Sequence, residues 1–459
     1  MALVMVLGAI TVLTVFLTEL QEETASELSA ALAERDSLKA EYHARSAVNL
    51  SRLLIATEPT IRRALAPLFM LLKKPPPQIP VWEFSDMLLG PFNDEVGVAA
   101  FGGVTGVDTS TGKHLGLSGG RFEIKIVDED AKVNVNVAAR GIPASSDRLA
   151  GHLLGLFAPV DYNSLFELPD GDKQFSDRAT ICGAIVDWAD SDETLYPCNL
   201  QSSGPASGGS EDNFYQTIGL DYRRKNAPYD SLQELRLVRG MSDELWSAFV
   251  DPEPNDPGKR LMTVWGQDKI NVNSANAQTL LALICSGAVD GTELCHDITQ
   301  MQSFLAGVTL AKSFTMGAPL FPTAKSFTAA LQGKNKMISP LLATLGVKPV
   351  TFKSVKALEE AVTTESKIFS IYAEGVVPGN RRTTRVRVHA VVDIRSAAEL
   401  GAAQPGILGS GGTPRPPGRA GQPPAPSANV ASASEATPEA LLAALNSNPA
   451  GVIIYWRVE

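Results

Sequence analysis

Residues 1–59 read MALVMVLGAITVLTVFLTELQEETASELSAALAERDSLKAEYHARSAVNLSRLLIATEP, and this stretch decides the architecture. Met1 to Thr18 carries no charged residue. As a helix it would span about 27 Å at ~1.5 Å per residue, close to the ~30 Å hydrocarbon core of a bilayer. A cleavable secretory signal fits less well, because no basic residue precedes the apolar core and no small-residue cleavage site closes it. A buried helix of a soluble body is a second alternative. The reading adopted is a membrane anchor over residues 1–18, with Met1 as the candidate processed N-terminus. From Glu19 the pattern turns amphipathic. Leu20, Leu28, Leu32, Leu38, Tyr42, Val48, Leu50, Leu53 and Leu54 recur at helical steps, while Glu22, Glu23, Glu27, Glu34, Arg35, Lys39 and Arg45 take other faces. Residues 19–58 therefore predict a continuation of the same helix, stopping at Thr57-Glu58-Pro59. One helix of about 55 residues would be about 80 Å long; two separate helices are the alternative.

Working outward, residues 121–137 (RFEIKIVDEDAKVNVNV) alternate on both sides of an acidic turn and predict a β-hairpin. A second hairpin is predicted over 368–395, turning at Pro378-Gly379-Asn380, and Gly451 to Val458 (GVIIYWRV) reads as a closing strand. Helical segments broken by Gly/Pro/Ser loops lie between the hairpins. The expected organisation is a β-domain in two parts, 59–139 and 346–459, interrupted by an α-helical domain at 140–345, an α+β fold. Residues 401–430 hold seven Gly and seven Pro, which predicts a flexible loop over 396–437, followed by a short helix, Pro438 to Leu445. Lys132-Val133-Asn134-Val135-Asn136 is echoed by Lys269-Ile270-Asn271-Val272-Asn273, too short a match to prove duplication. Asn273 and Ser274 look like caps for a helix over Asn276 to Ile284.

Composition excludes several functions. The chain has 459 residues, 44% apolar and 20% charged, with a formal net charge of -10. That is an ordinary globular balance without the basic face that nucleic-acid binding needs. The five histidines lie far apart with no HExxH pair, which argues against a zinc enzyme. No Walker motif occurs, and the glycine-rich run Gly406–Gly412 follows no strand. Catalysis is not expected.

Three features could carry chemistry. Asp187, Asp190, Asp192 and Glu193 cluster, and Glu211 and Asp212 follow a Gly/Ser/Pro loop. Gathered hard oxygen ligands suit Ca²⁺, and like charges repel unless a cation neutralises them. This is not an EF-hand, since the loop glycine is absent and the twelfth position from Asp190 is Gln201; a solvated acidic loop is the alternative. The four cysteines, Cys182, Cys198, Cys285 and Cys295, allow three connectivities. The sequence-local pairing is favoured, with a buried Cys182 thiol left open, and zinc is disfavoured without a CxxC. Finally, Ser231 to Phe249 and Lys269 to Ile284 resemble helix-hairpin-helix units, with Val238-Arg239-Gly240-Met241 as a hairpin. Such units often hold DNA backbone, but Asp243 and Glu244 follow the turn, so a structural use is favoured. An envelope DNA-binding protein of a competence-type system is the alternative function.

An apolar N-terminal helix running into an α+β body resembles type IV pilins and pseudopilins. The ordered set Val127-Asp128-Glu129, Lys132–Asn136, Ile185–Glu193, Gly209–Tyr215, Leu232–Met241 and Lys269–Asn273 is similar to the K-type minor pseudopilin of the type II (general) secretion pathway. The resemblance implies a pilin-like fold with a large inserted α-domain and a place at the tip of the periplasmic pseudopilus. It further implies a single-pass inner-membrane protein with a periplasmic body and a processed, methylated N-terminus. The implied partners are I-, J- and H-type minor pseudopilins, the major pseudopilin, and the secreted substrate or outer-membrane secretin, with no nucleic acid. In the acidic region it implies structural Ca²⁺, with Asp190, Asp192, Glu193, Glu211 and Asp212 as candidate ligands. Most pilins carry glutamate at mature position 5; counting from Met1, this chain has Met5 there, and the K-type resembles it in lacking the glutamate. A subunit without that carboxylate suits a tip, where one neighbouring amine is missing.

Overall fold

The computed structural model describes residues 2–71, 75–93, 119–170, 173–198, 213–315, 318–379, 382–397 and 450–459. Helix α1 (Ala2–Leu71) is continuous over 70 residues, about 105 Å at ~1.5 Å per residue. Residues 2–35 are exposed, and by length and composition this helix can cross a membrane. The expected stop at Pro59 is not taken, and Pro59 and Pro67 both lie inside the helix. An interior proline costs about 3 kcal/mol through its missing N–H and ring clash. A clamp on the neighbouring turn offsets this. Buried Glu58 receives Arg62 Nε at 2.9 Å and Nη2 at 2.7 Å, and the amide of Ile79 donates to the same carboxylate at 2.9 Å. Arg62 also bonds Glu365 at 2.5 Å, tying the turn to the body.

The sheet holds four antiparallel strands: β1 (Arg121–Asp128), β2 (Ile368–Pro378), β3 (Thr383–Asp393) and β4 (Val452–Val458), in that order. The hairpin expected at 368–395 is present as β2–β3, in register from Ile368↔Asp393 to Pro378↔Thr383; Asn380 of its turn lies outside the described residues. The closing strand pairs with β3. The hairpin expected at 121–137 does not form. β1 pairs instead with β2, from Arg121↔Val376 to Asp128↔Phe369, and Val133–Asn134 runs parallel to Met262–Thr263. The cause lies in the side chains. Val133, Val135 and Val137 are all buried, and Asn134 and Asn136 spend their amides on distant backbone instead of leaving a ladder free.

Ala44, Ala47, Val48 and Ile55 of α1 pack on Phe369 and Ile371 of β2 and on Val388, Ala390 and Val392 of β3. The approach is closest at Gly375, where an added Cβ would lie 1.8 Å from the Ala40 carbonyl oxygen. Only glycine fits, because the obstacle is helix backbone and cannot swing aside.

Between β1 and β2 the chain builds a helical region over residues 129–367, wider at both ends than the expected 140–345. Its principal helices are α2 (Pro143–Phe157), α3 (Arg178–Ala189), α4 (Ala277–Gly287), α5 (Ile298–Thr315), α6 (Ala324–Leu331), α7 (Ser339–Thr344) and α8 (Val355–Ala361). They share a core separate from that of α1 and the sheet. The short sequence echo is a structural repeat. Asn134 accepts from the amide of Asn136 and Asn271 from that of Asn273, both at 3.0 Å. Asn136 then brackets Tyr229, accepting from its N at 2.7 Å and donating to its O at 2.9 Å. Asn273 does the same to Phe321, both at 2.9 Å. Each short strand then leads into a helix, α2 or α4. The cap of α4 is Asn276, which accepts from the Thr279 amide, and not Asn273 or Ser274, whose side chains serve longer-range bonds. Beyond Ala397, the loop expected at 396–437 and the helix expected at 438–445 lie outside the described residues.

The helical region joins the sheet at a buried acidic turn. Asp128 accepts from the hydroxyls of Ser274 and Ser366. Asp130 accepts from the amides of Gln267, Lys367 and Ile368 at 2.7, 2.6 and 3.2 Å. Burial, with the neighbouring Asp130 charge, pushes the Asp128 carboxyl up to about 7, and its serine donors oppose the rise. From another element, Lys312 interacts with Asp128 and with Glu83.

Two predictions follow from these contacts. Gly375→Val forces α1 off the sheet and should cost about 3 kcal/mol, read as a lower denaturation midpoint; an unchanged midpoint contradicts the close approach. A carboxyl raised in the folded state favours folding below its unfolded pKa, and that contribution is lost as pH rises through about 7. Asp128→Asn should therefore flatten the fall in melting temperature between pH 5 and pH 8, and an identical slope in the variant would assign the fall to other groups.

Candidate functional site

The acidic cluster sits where α3 ends. Asp177 caps the start of this helix by accepting from the Thr180 amide. At the far end Asp187 and Trp188 are buried, and Asp190 occupies the C-cap. Carboxylates there face the negative end of the helix dipole, an unfavourable placement unless compensated. Asp187 accepts from the Tyr196 amide at 2.8 Å. Burial nevertheless pushes its carboxyl up to about 8, with the Asp190 charge adding to the rise. Asp190 is pushed up to about 6 by burial and then by Asp192. The Arg224 guanidinium opposes both shifts. One Asp190 oxygen, Oδ1, is buried without a hydrogen-bond partner among the described residues.

Of the five candidate ligands, Asp190 is buried in this cluster, whereas Asp192 and Glu193 are exposed on the following turn. Asp192 accepts from the Thr194 amide at 2.7 Å. Glu211 and Asp212 lie outside the described residues. Among the described residues no three His, Cys, Asp or Glu side chains converge on a metal position. The donors present are all hard oxygens, one of them the unpartnered buried Asp190 Oδ1, and hard oxygens are the donor type that Ca²⁺ takes. The candidate set left out Asp187, which is more buried than Asp192, and Arg224, whose distance along the chain gave no signal.

A cavity of about 190 Å³ opens beside Asp187, Tyr196, Arg224 and Arg239. The loop at its edge is stapled. Cys182 of α3 is bonded to Cys198, with Cα atoms 6.0 Å apart, and Cys285 is bonded to Cys295 at 5.7 Å. The first bridge spans the stretch that holds Asp187 to Glu193, limiting how far those carboxylates can separate.

The hairpin at Val238-Arg239-Gly240-Met241 has its basic groups engaged internally. Arg239 lies over the Phe214 ring at 4.3 Å and Arg236 over Trp246 at 4.2 Å. Gly240, at φ +82°, faces Ile181, whose Cγ1 an added Cβ would meet at 2.6 Å. The turn is therefore directed at α3, and its glycine serves packing instead of an approaching phosphate.

This segment also carries the family signal. Residues 162–250 match the family model for the type II secretion system (T2SS), protein K. The match takes in α3, the acidic cluster, the first disulfide and the arginine-aromatic hairpin, and it bears out the resemblance to a K-type minor pseudopilin across that segment. A chain of the crystal structure of the GspK-GspI-GspJ complex from the enterotoxigenic Escherichia coli type 2 secretion system is also similar. Its identity is 15% and its TM-score 0.33, with 60% of this chain and 75% of that chain covered. No curated protein matches this chain. The architecture itself, a long N-terminal helix laid on an antiparallel sheet with a helical region between its strands, is an α+β fold.

Proposed function

We propose that this chain is a non-catalytic K-type minor pseudopilin at the tip of a periplasmic pseudopilus, where it helps initiate assembly for export of folded proteins. The match of residues 162–250 to protein K carries the reading. The apolar first third of α1 would anchor the subunit in the inner membrane and, after extraction, pack among the helices of a filament core. The partners would be other minor pseudopilins of the I, J and H types, with the major pseudopilin below. The helical region supports an end position on steric grounds, because so large a body would crowd every layer of a tight shaft. The chemistry of α1 agrees, because its first carboxylate is Glu19, so its apolar segment offers no charge partner to a neighbouring amine. Cross-linking in purified pseudopili should find the chain at one end only, in a low-stoichiometry complex with other minor pseudopilins. Regular labelling along the shaft would overturn the tip assignment.

The same reading gives the acidic loop a structural Ca²⁺. Asp190 would hold it with its unpartnered oxygen, aided by Asp187, Asp192 and Glu193 and by Glu211 and Asp212 from the following loop. The bound ion would supply positive charge where α3 ends in carboxylates. A ligand that binds only the folded state raises stability by mass action. After chelation, added Ca²⁺ should raise the melting temperature, and Asp190→Ala with Asp212→Ala should abolish the rise. A melting temperature unchanged across the titration would sink this site.

A further inference from the structure

An apolar cleft of about 350 Å³ lies in the second structural repeat, between the end of α6, helix α7 and the loop that follows it. Leu331, Leu342, Val347 and Pro349 line it. Beside it Met337 and Leu341 are exposed, at 68% and 48%. Three lysines, Lys334, Lys336 and Lys348, belong to the same lining and are exposed. Lys348 pairs with Glu293, and Lys334 donates to the neutral Gln332 side chain at 3.0 Å. Lys336 makes no ion pair among the described residues. In a chain of formal charge -10, an apolar hollow rimmed by cations is a local inversion of the surface.

The walls are held in place before anything binds. The Asn335 side chain accepts from the amides of Met337 and Ile338 at 2.9 and 3.1 Å. The backbone N–H of Asn335 donates to Ser339 Oγ at 3.0 Å, and that hydroxyl donates to the Ala330 carbonyl at 2.9 Å. Across the cleft, Gln300 donates to Gly346 O at 2.8 Å and accepts from the Lys348 amide at 3.0 Å. A preformed apolar hollow loses little ordering entropy on filling, and its size is within the range of small-ligand sites, about 300–1,000 Å³. A phosphate backbone would meet the lysines and leave the apolar floor wet, whereas flexible Met337 suits an adaptable protein contact.

We propose that this cleft docks an acidic segment of a partner protein, seating a large apolar side chain on the Leu331–Leu342–Val347 floor with flanking carboxylates on Lys334, Lys336 and Lys348. The cleft would do so whether or not the chain joins a pseudopilus, so it goes beyond the tip assignment, and its test does not read assembly. The probe is a fluorescent peptide, Glu-Asp-Phe-Leu-Asp-Glu with blocked ends, titrated by anisotropy with the full chain in detergent micelles. Binding should saturate and weaken at least tenfold for Ala343→Trp, which fills the cleft from an exposed position, and for Lys336→Glu. It should weaken equally when serines replace Phe-Leu or lysines replace the acids. Circular dichroism melting checks that each variant stays folded. Absence of saturable binding, equal binding by the folded variants, or equal binding of the serine peptide would overturn the proposal. So would displacement of the peptide by single-stranded DNA or by soluble dihexanoyl-phosphatidylglycerol.

Discussion

The buried acidic turn at Asp128, Glu129 and Asp130 is the constraint on which the architecture rests. The chain leaves the sheet at Asp128 and returns at Ile368, and Asp128 stands opposite Phe369 in the β1–β2 ladder. Exit and re-entry must therefore meet, although the whole helical region lies between them. Closing so long a loop costs entropy that grows only logarithmically with length, but the junction still has to be specified. Asp128 gathers Ser274 and Ser366, while Asp130 gathers Gln267, Lys367 and Ile368. Glu129 is paired with Lys132 and Thr263 at 3.0 and 2.6 Å. Gln78, in the segment after α1, closes the knot by bonding both the amide and the carbonyl of Ser366. Burial of three carboxylates would be ruinous without such donors, so the acidic turn is stable only when sheet, helical region and α1 segment are all in place.

Much of the sheet was legible because its determinants are local. The β2–β3 hairpin has clean alternation and a tight turn, and β4 announces itself through Val452 to Val458. The β1 error came from the same rule, since period-two alternation on both sides of Asp128-Glu129-Asp130 reads as two paired strands. Alternation cannot reveal that Asn134 and Asn136 bond to Gly266, Tyr229 and Val264, respectively 132, 93 and 128 residues away. Nor could local propensity foresee α1 continuing through Pro59. The compensation comes from Arg62, which clamps Glu58 one turn back, and from Ile79 and Glu365, two of the three being tertiary contacts.

At the candidate site, the residue types were legible and their arrangement was not. An acidic stretch after an apolar helix could be read from composition. That Asp187 turns inward depends on the phase of α3, whose core face also carries Ile181, Cys182 and Ile185, whereas Asp192 lies past the end of the helix on an exposed turn. The bond from Cys182 to Cys198 then folds the loop back over the helix end, bringing the Tyr196 amide to Asp187. The covalent link and the hydrogen bond act on the same loop, so the crowding of carboxylates is enforced rather than relieved by motion.

The two asparagine brackets explain how one sequence pattern is reused for different ends. In each repeat an Asn side chain mimics a strand neighbour, satisfying both N–H and C=O of one aromatic residue, Tyr229 or Phe321. That fixes the start of a helix-turn-helix hairpin against the preceding helix. In the first repeat the hairpin's arginines turn back onto Phe214 and Trp246, and its glycine packs on Ile181. In the second repeat the corresponding turn carries Lys334 and Lys336, with Met337 and Leu341 exposed beside a hollow. The shared bracket sets the backbone, while the turn residues decide which way the hairpin faces. The differing turn residues therefore account for one hairpin that closes on its own core and another that presents an apolar, cation-rimmed surface to solvent.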